Sequence, residues 1–323
     1  MPRSPEPAPR QQTAAELMAR VRQIRLRTRR LVSSALAGGY KSSFKGSGLE
    51  FEEVRAYQHG DDVRAIDWKV TARKREPHIK TYREDRALTL HFLVDTGPTM
   101  DFGTRRVTKR ELAAELVALL SFVALDNRDQ VGLTLFGEAT GLHLDPGRSG
   151  AHVNRLVREV IAAPVERASG RSDLLGLVDE RLRGRQRHNL LFLVTDFHGW
   201  LDEDAAADRD LLRRKLLALA GRHDVIVVPV SDPFEVDLPD AGLVELADPG
   251  TGGGSLLIDT SSRRVRRAWR AAAEERHVNL AALLTKSRVG AIPLSTATTV
   301  AEPVARFFDA RGRGRTTGLA RLA

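Results

Sequence analysis

The chain contains no cysteine among its 323 residues. This absence excludes a disulfide framework, a thiolate metal site and a cysteine nucleophile, and it fits a reducing compartment. No apolar run approaches the length of a membrane-spanning helix, and residues 1–7 lack the apolar stretch of a signal peptide. We therefore expect a soluble, cytoplasmic protein with no transmembrane segment. An apolar content of 42% is sufficient for a substantial core.

Acidic residues are scarce at the two ends of the chain, and this asymmetry accounts for the overall charge of +9. Residues 1–47 have a net charge of +8 and residues 303–323 a net charge of +4, so the remainder is net −3. A basic protein raises nucleic acid as a partner, but here the basicity belongs to the ends and not to the body. Only eight of the 51 basic residues are lysine, an excess of arginine that genome composition alone explains.

A basic amphipathic helix is predicted over residues 13–37, after a Pro-rich start, residues 1–12, that we expect to be disordered. Gly38 and Gly39 are expected to end this helix. Two interpretations remain open: the apolar face packs on the body of the same chain, or the helix binds nucleic acid, an anionic membrane surface or a partner. The apolar face consists of Leu17, Val21, Ile24, Leu31 and Ala35.

From residue 88 onwards, short apolar runs alternate with helical patterns, which favours an α/β, Rossmann-like fold with a doubly wound, mostly parallel sheet. Strands are predicted at residues 88–94, 131–136, 190–195 and 225–230 and near 291–292, with a short hairpin around 142–144. Helices are predicted at about residues 107–125, 151–162, 173–183, 203–221, 262–286 and 299–310. The chain thus divides into residues 1–47, a β-rich signature segment at 48–87, the α/β domain at 88–310 with an insertion near 232–260, and a basic tail at 311–323.

Asp95 and Asp196 each follow a short, almost wholly apolar run of this domain. Such runs are typical of central strands in a parallel sheet that is covered on both faces. In open α/β sheets, ligands bind just beyond the carboxyl ends of the strands. We therefore expect the two carboxylates to meet at one edge of the sheet and to form a site for a hard cation or a cationic partner.

Two hydroxyl groups are expected to join this pair. Thr99 lies in the loop after Asp95, and Ser172 lies in a loop that opens a helix, where its residue type also suits an N-cap. Mg²⁺ takes six oxygen ligands in an octahedron and usually retains several waters. The sequence therefore predicts a magnesium site formed by Asp95, Thr99, Ser172 and Asp196, with a position left for the carboxylate of a partner.

This order of residues resembles the von Willebrand factor type A domain, whose metal-ion-dependent adhesion site reads Asp-x-Ser-x-Ser, Thr, Asp. Asp95 corresponds to the first acid, Thr99 to the second hydroxyl, Ser172 to the threonine and Asp196 to the last acid. Gly97 departs from the pattern, because it stands where the first hydroxyl is expected. The resemblance therefore implies a degenerate site, in which water fills the missing position and Mg²⁺ binds more weakly.

A second resemblance covers about residues 38–310. Its signature reads GLEFEEVRAY at residues 48–57, GDDVRAIDW at 60–68 and TAR at 71–73, and the sequence DTGPTMDFG follows at 95–103. These motifs resemble the bacterial domain-of-unknown-function fifty-eight family. Proteins of that family are commonly encoded beside MoxR-type AAA+ ATPases, so the resemblance implies a role with such an ATPase in the assembly or maturation of other proteins.

The signature segment carries charges of alternating sign and one large aromatic side chain. It has two interpretations: an ion-pair network, including Arg55, that fastens the segment to the main sheet, or a contact surface for a partner. Both can hold, because a rigid charged surface suits protein recognition. The partner-binding candidates are Asp61, Asp62, Arg64, Asp67, Trp68 and Arg73.

Several enzyme classes are excluded by missing motifs. Asp95-Thr96-Gly97 imitates an aspartic protease, but that enzyme needs two facing acids and a β-dominated fold, and Gly97 removes the second acid of a haloacid dehalogenase phosphatase. The Gly-rich residues 250–255 lack the Lys-Ser/Thr of a phosphate loop and suit a hairpin turn. There is no Gly-x-Ser-x-Gly elbow and no His-Glu-x-x-His.

We therefore expect a non-enzymatic interaction module that binds an acidic segment of a protein partner, with a MoxR-type AAA+ ATPase as the leading candidate. The alternative is a protein that binds nucleic acid or an anionic membrane surface through residues 13–37 and the C-terminal tail. That alternative predicts binding that weakens steeply with salt, because phosphate contacts release counterions.

Overall fold

The structure, a computed structural model, describes residues 19–24, 28, 38–40, 43–44, 50–58, 61–63, 66–74, 76–83, 87–138, 140–164, 171–184, 188–248 and 254–313. The strands of this part are β1 (Glu50–Ala56), β2 (His78–Arg83), β3 (Thr89–Asp95), β4 (Gln130–Phe136), β5 (Thr140–Gly147), β6 (Leu190–Thr195), β7 (Asp224–Ser231), β8 (Leu243–Asp248), β9 (Gly254–Asp259), β10 (Gly290–Ala291) and β11 (Leu294–Ser295). The α-helices are α1 (Trp68–Lys74), α2 (Lys109–Asp126), α3 (Gly150–Ala162), α4 (Leu174–Arg183), α5 (Ala206–Ala220), α6 (Pro233–Val236), α7 (Arg263–Ser287) and α8 (Ala301–Gly312).

A seven-stranded sheet forms the centre of the fold. Its strand order is β10-β7-β6-β3-β4-β5, and β11 also pairs with β7. The pairs are parallel except for β5, which runs antiparallel to β4. The prediction of an α/β fold with a mostly parallel sheet is confirmed, and the predicted hairpin around residues 142–144 is the antiparallel edge strand.

The central strands are apolar throughout because both faces of the sheet are covered. Adjacent side chains on a strand point to opposite faces, and Val94 and Leu93 accordingly belong to two different buried clusters. The cluster around Val94 includes side chains from α2, α3 and α8. The cluster around Leu93 includes side chains from α4, α5 and α7. These two clusters place a layer of helices on each face, as a doubly wound sheet requires.

Part of the predicted basic helix is described, and its apolar face packs on the body of the chain. Residues 19–24 are helical, and Val21 and Ile24 are buried in the same core cluster as helix α2. Arg20 forms an ion pair with Glu111 at 2.9 Å. For the residues described, the structure therefore supports the first interpretation, in which the helix packs on the body of its own chain. The rest of the predicted helix, apart from Thr28, lies outside the described residues.

Gly38 and Gly39, predicted to end the basic helix, are themselves helical, as is Tyr40. Residues 29–37, where that helix would end or continue, lie outside the described residues. Tyr40 is 1% exposed, its ring lies edge-on to Phe308 at 5.7 Å between centroids, and its hydroxyl donates a hydrogen bond of 2.7 Å to Asp129. A side chain at position 39 would crowd this packing, since its Cβ would lie 3.2 Å from the Cβ of Phe308. Tertiary contacts here outweigh the low helix propensity of glycine.

Two small antiparallel hairpins accompany the main sheet. Strands β1 and β2 form one of them and belong to the signature segment, where α1 lies between them in sequence. Strands β8 and β9 form the other, within the predicted insertion. Most of the Gly-rich turn predicted at 250–255 falls outside the described residues. In the described part of the chain, no helix combines the length and the apolar character that crossing a membrane requires.

Candidate functional site

The strands that carry the two predicted acids are neighbours in the sheet. Strand β3 pairs in parallel with β6, with Val94 opposite Val194. Asp95 is the last residue of β3, and Asp196 directly follows the last residue of β6. The carboxyl ends of parallel strands lie at one edge of a sheet, so residues 101 positions apart in sequence come together, as the sequence predicts.

Asp95 is buried, with 2% of its surface exposed, and accepts three hydrogen bonds. Its Oδ1 accepts from the backbone N–H of Gly97 at 2.8 Å and from the hydroxyl of Ser172 at 2.6 Å. Its Oδ2 accepts from the hydroxyl of Thr195 at 2.6 Å. Burial, reinforced by the negative charge of Asp196, raises the pKa of Asp95 to about 6, although the three donors oppose this shift.

Ser172 binds Asp95 instead of capping a helix, so the N-cap interpretation of this residue is wrong. The cap of α4 is the next residue, Asp173, whose carboxylate accepts a hydrogen bond of 2.8 Å from the N–H of Gly176. The indole N–H of Trp200 donates to the carbonyl oxygen of Ser172 at 3.1 Å. Together these contacts fix the loop and direct the Ser172 hydroxyl toward the strand ends.

Asp196 forms an ion pair with Lys109, a residue that the sequence analysis did not select. The Lys109 Nζ lies 2.6 Å from Asp196 Oδ2 and 2.5 Å from Glu235 Oε1. The side chain of Lys109 is 0% exposed and that of Asp196 5% exposed, whereas that of Glu235 is 36% exposed. A buried ion pair is tolerated only where each charge has a close partner, and this triad meets that condition.

The charges of the triad support one another. Burial acts against the ionised form of Asp196, but the ammonium group of Lys109, together with a hydrogen bond from Thr99, lowers the pKa of Asp196. Burial also acts against the ionised form of Lys109, yet Asp196 and Glu235 raise the pKa of Lys109. Asp196 and Lys109 are therefore expected to be charged at neutral pH.

The loop after β3 brings Thr99 to the same edge. Residues Pro98–Asp101 form a 3-10 turn, and the side chain of Thr99 makes a hydrogen bond to Asp196. The structure thus brings all four predicted residues together, around one additional lysine. We call Asp95, Thr99, Lys109, Ser172 and Asp196 the strand-end rim.

The oxygen atoms of the strand-end rim are already engaged by groups of the protein itself. A Cβ at Gly97 would lie 2.8 Å from Ser172 Oγ and 3.1 Å from Asp95 Oδ1, so the space beside residue 97, where the resembled pattern has its first hydroxyl, is crowded. Asp196 holds an ammonium group, and both oxygens of Asp95 accept hydrogen bonds. Among the described residues, no cluster of three or more His, Asp or Glu side chains is suited to a metal ion.

Lys109, Glu235 and Thr195 were the members of this site that sequence reasoning missed. One signal was present, because lysine is rare in this arginine-rich chain. The position of Lys109 at the first turn of α2 gave no such signal, since the first turn of a helix ordinarily favours acidic residues. Phe197, directly after Asp196, has a φ of 55°. This left-handed backbone conformation is uncommon for a bulky residue, so the loop after β6 has an unusual local geometry.

The candidates of the signature segment lie in a more exposed setting. Arg55 makes two hydrogen bonds of 2.8 Å to the carboxylate of Asp61, which lowers the pKa of Asp61 and joins two parts of the same segment. Asp67 accepts from the N–H of Lys69 at 2.9 Å at the start of α1. Trp68 is 72% exposed. Asp62 and Arg73 are also exposed, and Arg64 lies outside the described residues.

These features define an α/β protein with a polar strand-end site and an additional β-rich segment. Residues 53–279 match the family described as "Protein of unknown function DUF58", and the chain belongs to this family. A relative named "Uncharacterized protein Rv1480" from Mycobacterium tuberculosis is 30% identical over 308 residues, which cover 94% of this chain and 92% of the relative.

Two further proteins show more limited similarity. "Uncharacterized protein MAV169" from Mycobacterium avium is 29% identical over 175 residues, which cover 54% of this chain and 96% of that protein. Among solved structures, the conserved hypothetical protein BatB from Bacteroides thetaiotaomicron aligns with a TM-score of 0.45 and 12% identity, over 70% of this chain and 100% of BatB.

Proposed function

We propose that this chain is a non-enzymatic protein-interaction module of the von Willebrand factor type A-like class, which binds an acidic segment of a partner at the strand-end rim. The observation that carries the proposal is the convergence of two hydroxyls and two carboxylates from separate loops on one edge of the sheet. Loops at the carboxyl ends of parallel strands are the usual place for binding in this architecture.

The hydrogen bonding of the strand-end rim supports binding over catalysis. The hydroxyls of Ser172 and Thr195 both donate to Asp95, and that carboxylate is buried beneath the loops. A catalytic nucleophile needs an adjacent base, which a third group orients, and an open position beside it for the reacting atom of a substrate. Here the polar groups hold the loops to one another, which favours a fixed recognition surface.

The partner is the part of this proposal that depends on resemblance. We propose a MoxR-type AAA+ ATPase, with the chain assisting it in the cytoplasm in the assembly or maturation of other proteins. Exposed basic side chains near the strand-end rim suit an acidic segment: Arg105 lies over the ring of Phe234 at 5.6 Å, next to Glu235, and His198 is exposed two residues after Asp196.

The experiment is a binding measurement between the purified chain and a purified MoxR-type ATPase from the same organism. His198→Glu and Arg105→Glu reverse or add charge at exposed positions and should each weaken binding about tenfold, equal to about 1.4 kcal/mol. Arg222→Glu is the matched control, because Arg222 is exposed just before β7, at the opposite edge of the sheet. Equal affinities for all three variants and the wild type would contradict the proposal.

The alternative, binding of nucleic acid or an anionic membrane surface, has weaker support. Its apolar anchor would be the face of the N-terminal helix, but Val21 and Ile24 are buried in the core. The basic tail after residue 313 lies outside the described residues. Binding to DNA that falls steeply with salt, and that charge reversal of the exposed Arg22 by Arg22→Glu weakens, would favour this alternative.

A further inference from the structure

We propose that the ammonium group of Lys109 is the permanent cation of the strand-end rim, and that this site therefore works without a divalent metal. The inference concerns the site of the proposed function but does not depend on the identity of the partner. It rests on the placement of Lys109, on the occupation of the oxygen atoms around it and on the closed space at Gly97.

The placement of Lys109 is that of a built-in counter-ion. Its side chain is fully buried, although lysine is among the residues least often buried completely. Its Nζ contacts Asp196 and Glu235, and lies 5.9 Å from the centre of the Phe102 ring. The ammonium group thus lies between two carboxylates and an aromatic face, the surroundings that a desolvated cation requires.

A second cation at Asp196 would be repelled by this ammonium group. Like charges a few ångströms apart are strongly unfavourable where water is excluded. The Oδ2 of Asp196 already binds Lys109 at 2.6 Å, and Thr99 also makes a hydrogen bond to this carboxylate. Binding of Mg²⁺ would require Lys109 to leave a site in which it has no contact with solvent.

The other half of the strand-end rim is closed by packing. A Cβ added at Gly97 would lie 2.8 Å from Ser172 Oγ, so Ser172 occupies the space beside residue 97. The single hydroxyl proton of Ser172 is donated to Asp95. The contact with Asp95 and the crowding at residue 97 together leave Ser172 turned inward at this edge of the sheet.

Glu235 completes the arrangement as an internal ligand of the cation. It belongs to the short helix α6, which begins with Asp232 as its N-cap, and Asp232 is held by Thr104 and Thr296. Glu235 is the more exposed of the two carboxylates on Lys109. Glu235 therefore supplies, from within the chain, the second carboxylate on Lys109.

The first test is a calorimetric titration of the whole chain with MgCl₂ and with MnCl₂. The expected result is no saturable heat at millimolar metal, and no rise in the melting temperature. Saturable binding of either metal that Asp196→Asn abolishes would overturn the inference. This titration uses the unmodified protein and no partner, so its outcome is separate from that of the binding experiment with the ATPase.

The second test observes the ammonium group directly by ¹H–¹⁵N NMR of the lysine side chains. A buried, charged Lys109 should give a slowly exchanging ammonium signal that Lys109→Arg removes while keeping the charge. Lys215→Met is the control, because Lys215 pairs with Asp179 but is 20% exposed. If no slowly exchanging signal is seen in the wild type, or if the signal persists in Lys109→Arg, Lys109 is not the cation of this site.

Discussion

The strand-end rim and the signature segment each contain an ion pair between a basic residue and an aspartate, but the two pairs differ in burial. Lys109 and Asp196 have side chains that are 0% and 5% exposed, whereas Arg55 and Asp61, in the signature segment, have side chains that are 33% and 20% exposed. Distances are similar, at 2.6 Å and 2.8 Å. Two ion pairs of similar length can therefore contribute very differently to the free energy of unfolding. The reason is that losing one partner destabilises the protein more when water is excluded from the other.

The largest expected effect is that of Lys109→Met. It leaves Asp196 buried without its cation, which should lower the free energy of unfolding by about 3–5 kcal/mol. Urea denaturation followed by circular dichroism measures this loss. The double variant Lys109→Met/Asp196→Asn should regain part of the loss, since it removes the uncompensated charge. A single variant as stable as the wild type would show that the pair is not buried in solution.

Asp95→Ala is expected to have the next largest effect. It removes the acceptor of three donors, from Gly97, Ser172 and Thr195, and it should lower the free energy of unfolding by about 2–3 kcal/mol. The matched variant Asp145→Ala, on the edge strand β5, should cost much less, because this side chain is 96% exposed. The same urea denaturation measures both variants. An equal loss in the free energy of unfolding would contradict a stabilising role of Asp95 in the strand-end rim.

The pH dependence of stability should also distinguish the strand-end rim. The folded pKa of Asp95, about 6, lies above its ordinary value of 3.8, so its contribution to stability is fully present below pH 3.8 and is lost as the pH rises through 6. Relative to Asp95→Asn, the wild type should therefore gain about 1 kcal/mol between pH 7 and pH 5. Urea denaturation at the two pH values measures this gain, and a parallel response of both proteins would contradict the shift.

The signature segment should give the smallest changes. Asp61→Ala breaks the pair with Arg55, but solvent screens this pair, and the denaturation midpoint should stay within experimental error. Trp68→Ala should likewise leave the midpoint unchanged, because the side chain is 72% exposed. If Trp68→Ala nevertheless weakens binding to the ATPase, the segment acts as a contact surface; a large loss of stability would instead show that it packs on other residues.

The general architecture was accessible from sequence because local patterns determine it. Asp95 and Asp196 follow apolar runs, and strand ends in a parallel sheet share one edge, so their meeting could be inferred without coordinates. The cap of α4 could not be assigned so firmly. Ser172 and Asp173 both suit an N-cap, and only the position of Asp95 in space decides which of them is available to it.

Lys109 could not be found from sequence for a different reason. A lysine at the start of a helix is ordinarily solvated, and its long side chain reaches several directions. Its burial depends on α2 packing against the sheet near Asp196, and on α6 bringing Glu235 from a position 126 residues later. Such contacts between distant segments leave no periodic signal, so the cation of the site became visible only in three dimensions.

The packing of Tyr40 and Phe44 on Phe308 has a consequence for synthesis on the ribosome. The three rings lie edge-on to one another, with centroids 5.1 to 5.7 Å apart. Tyr40 and Phe44 leave the exit tunnel hundreds of residues before Phe308, and during that interval the edge-on contacts of their rings with Phe308 are missing. Completion of this part of the core therefore waits until α8 has emerged.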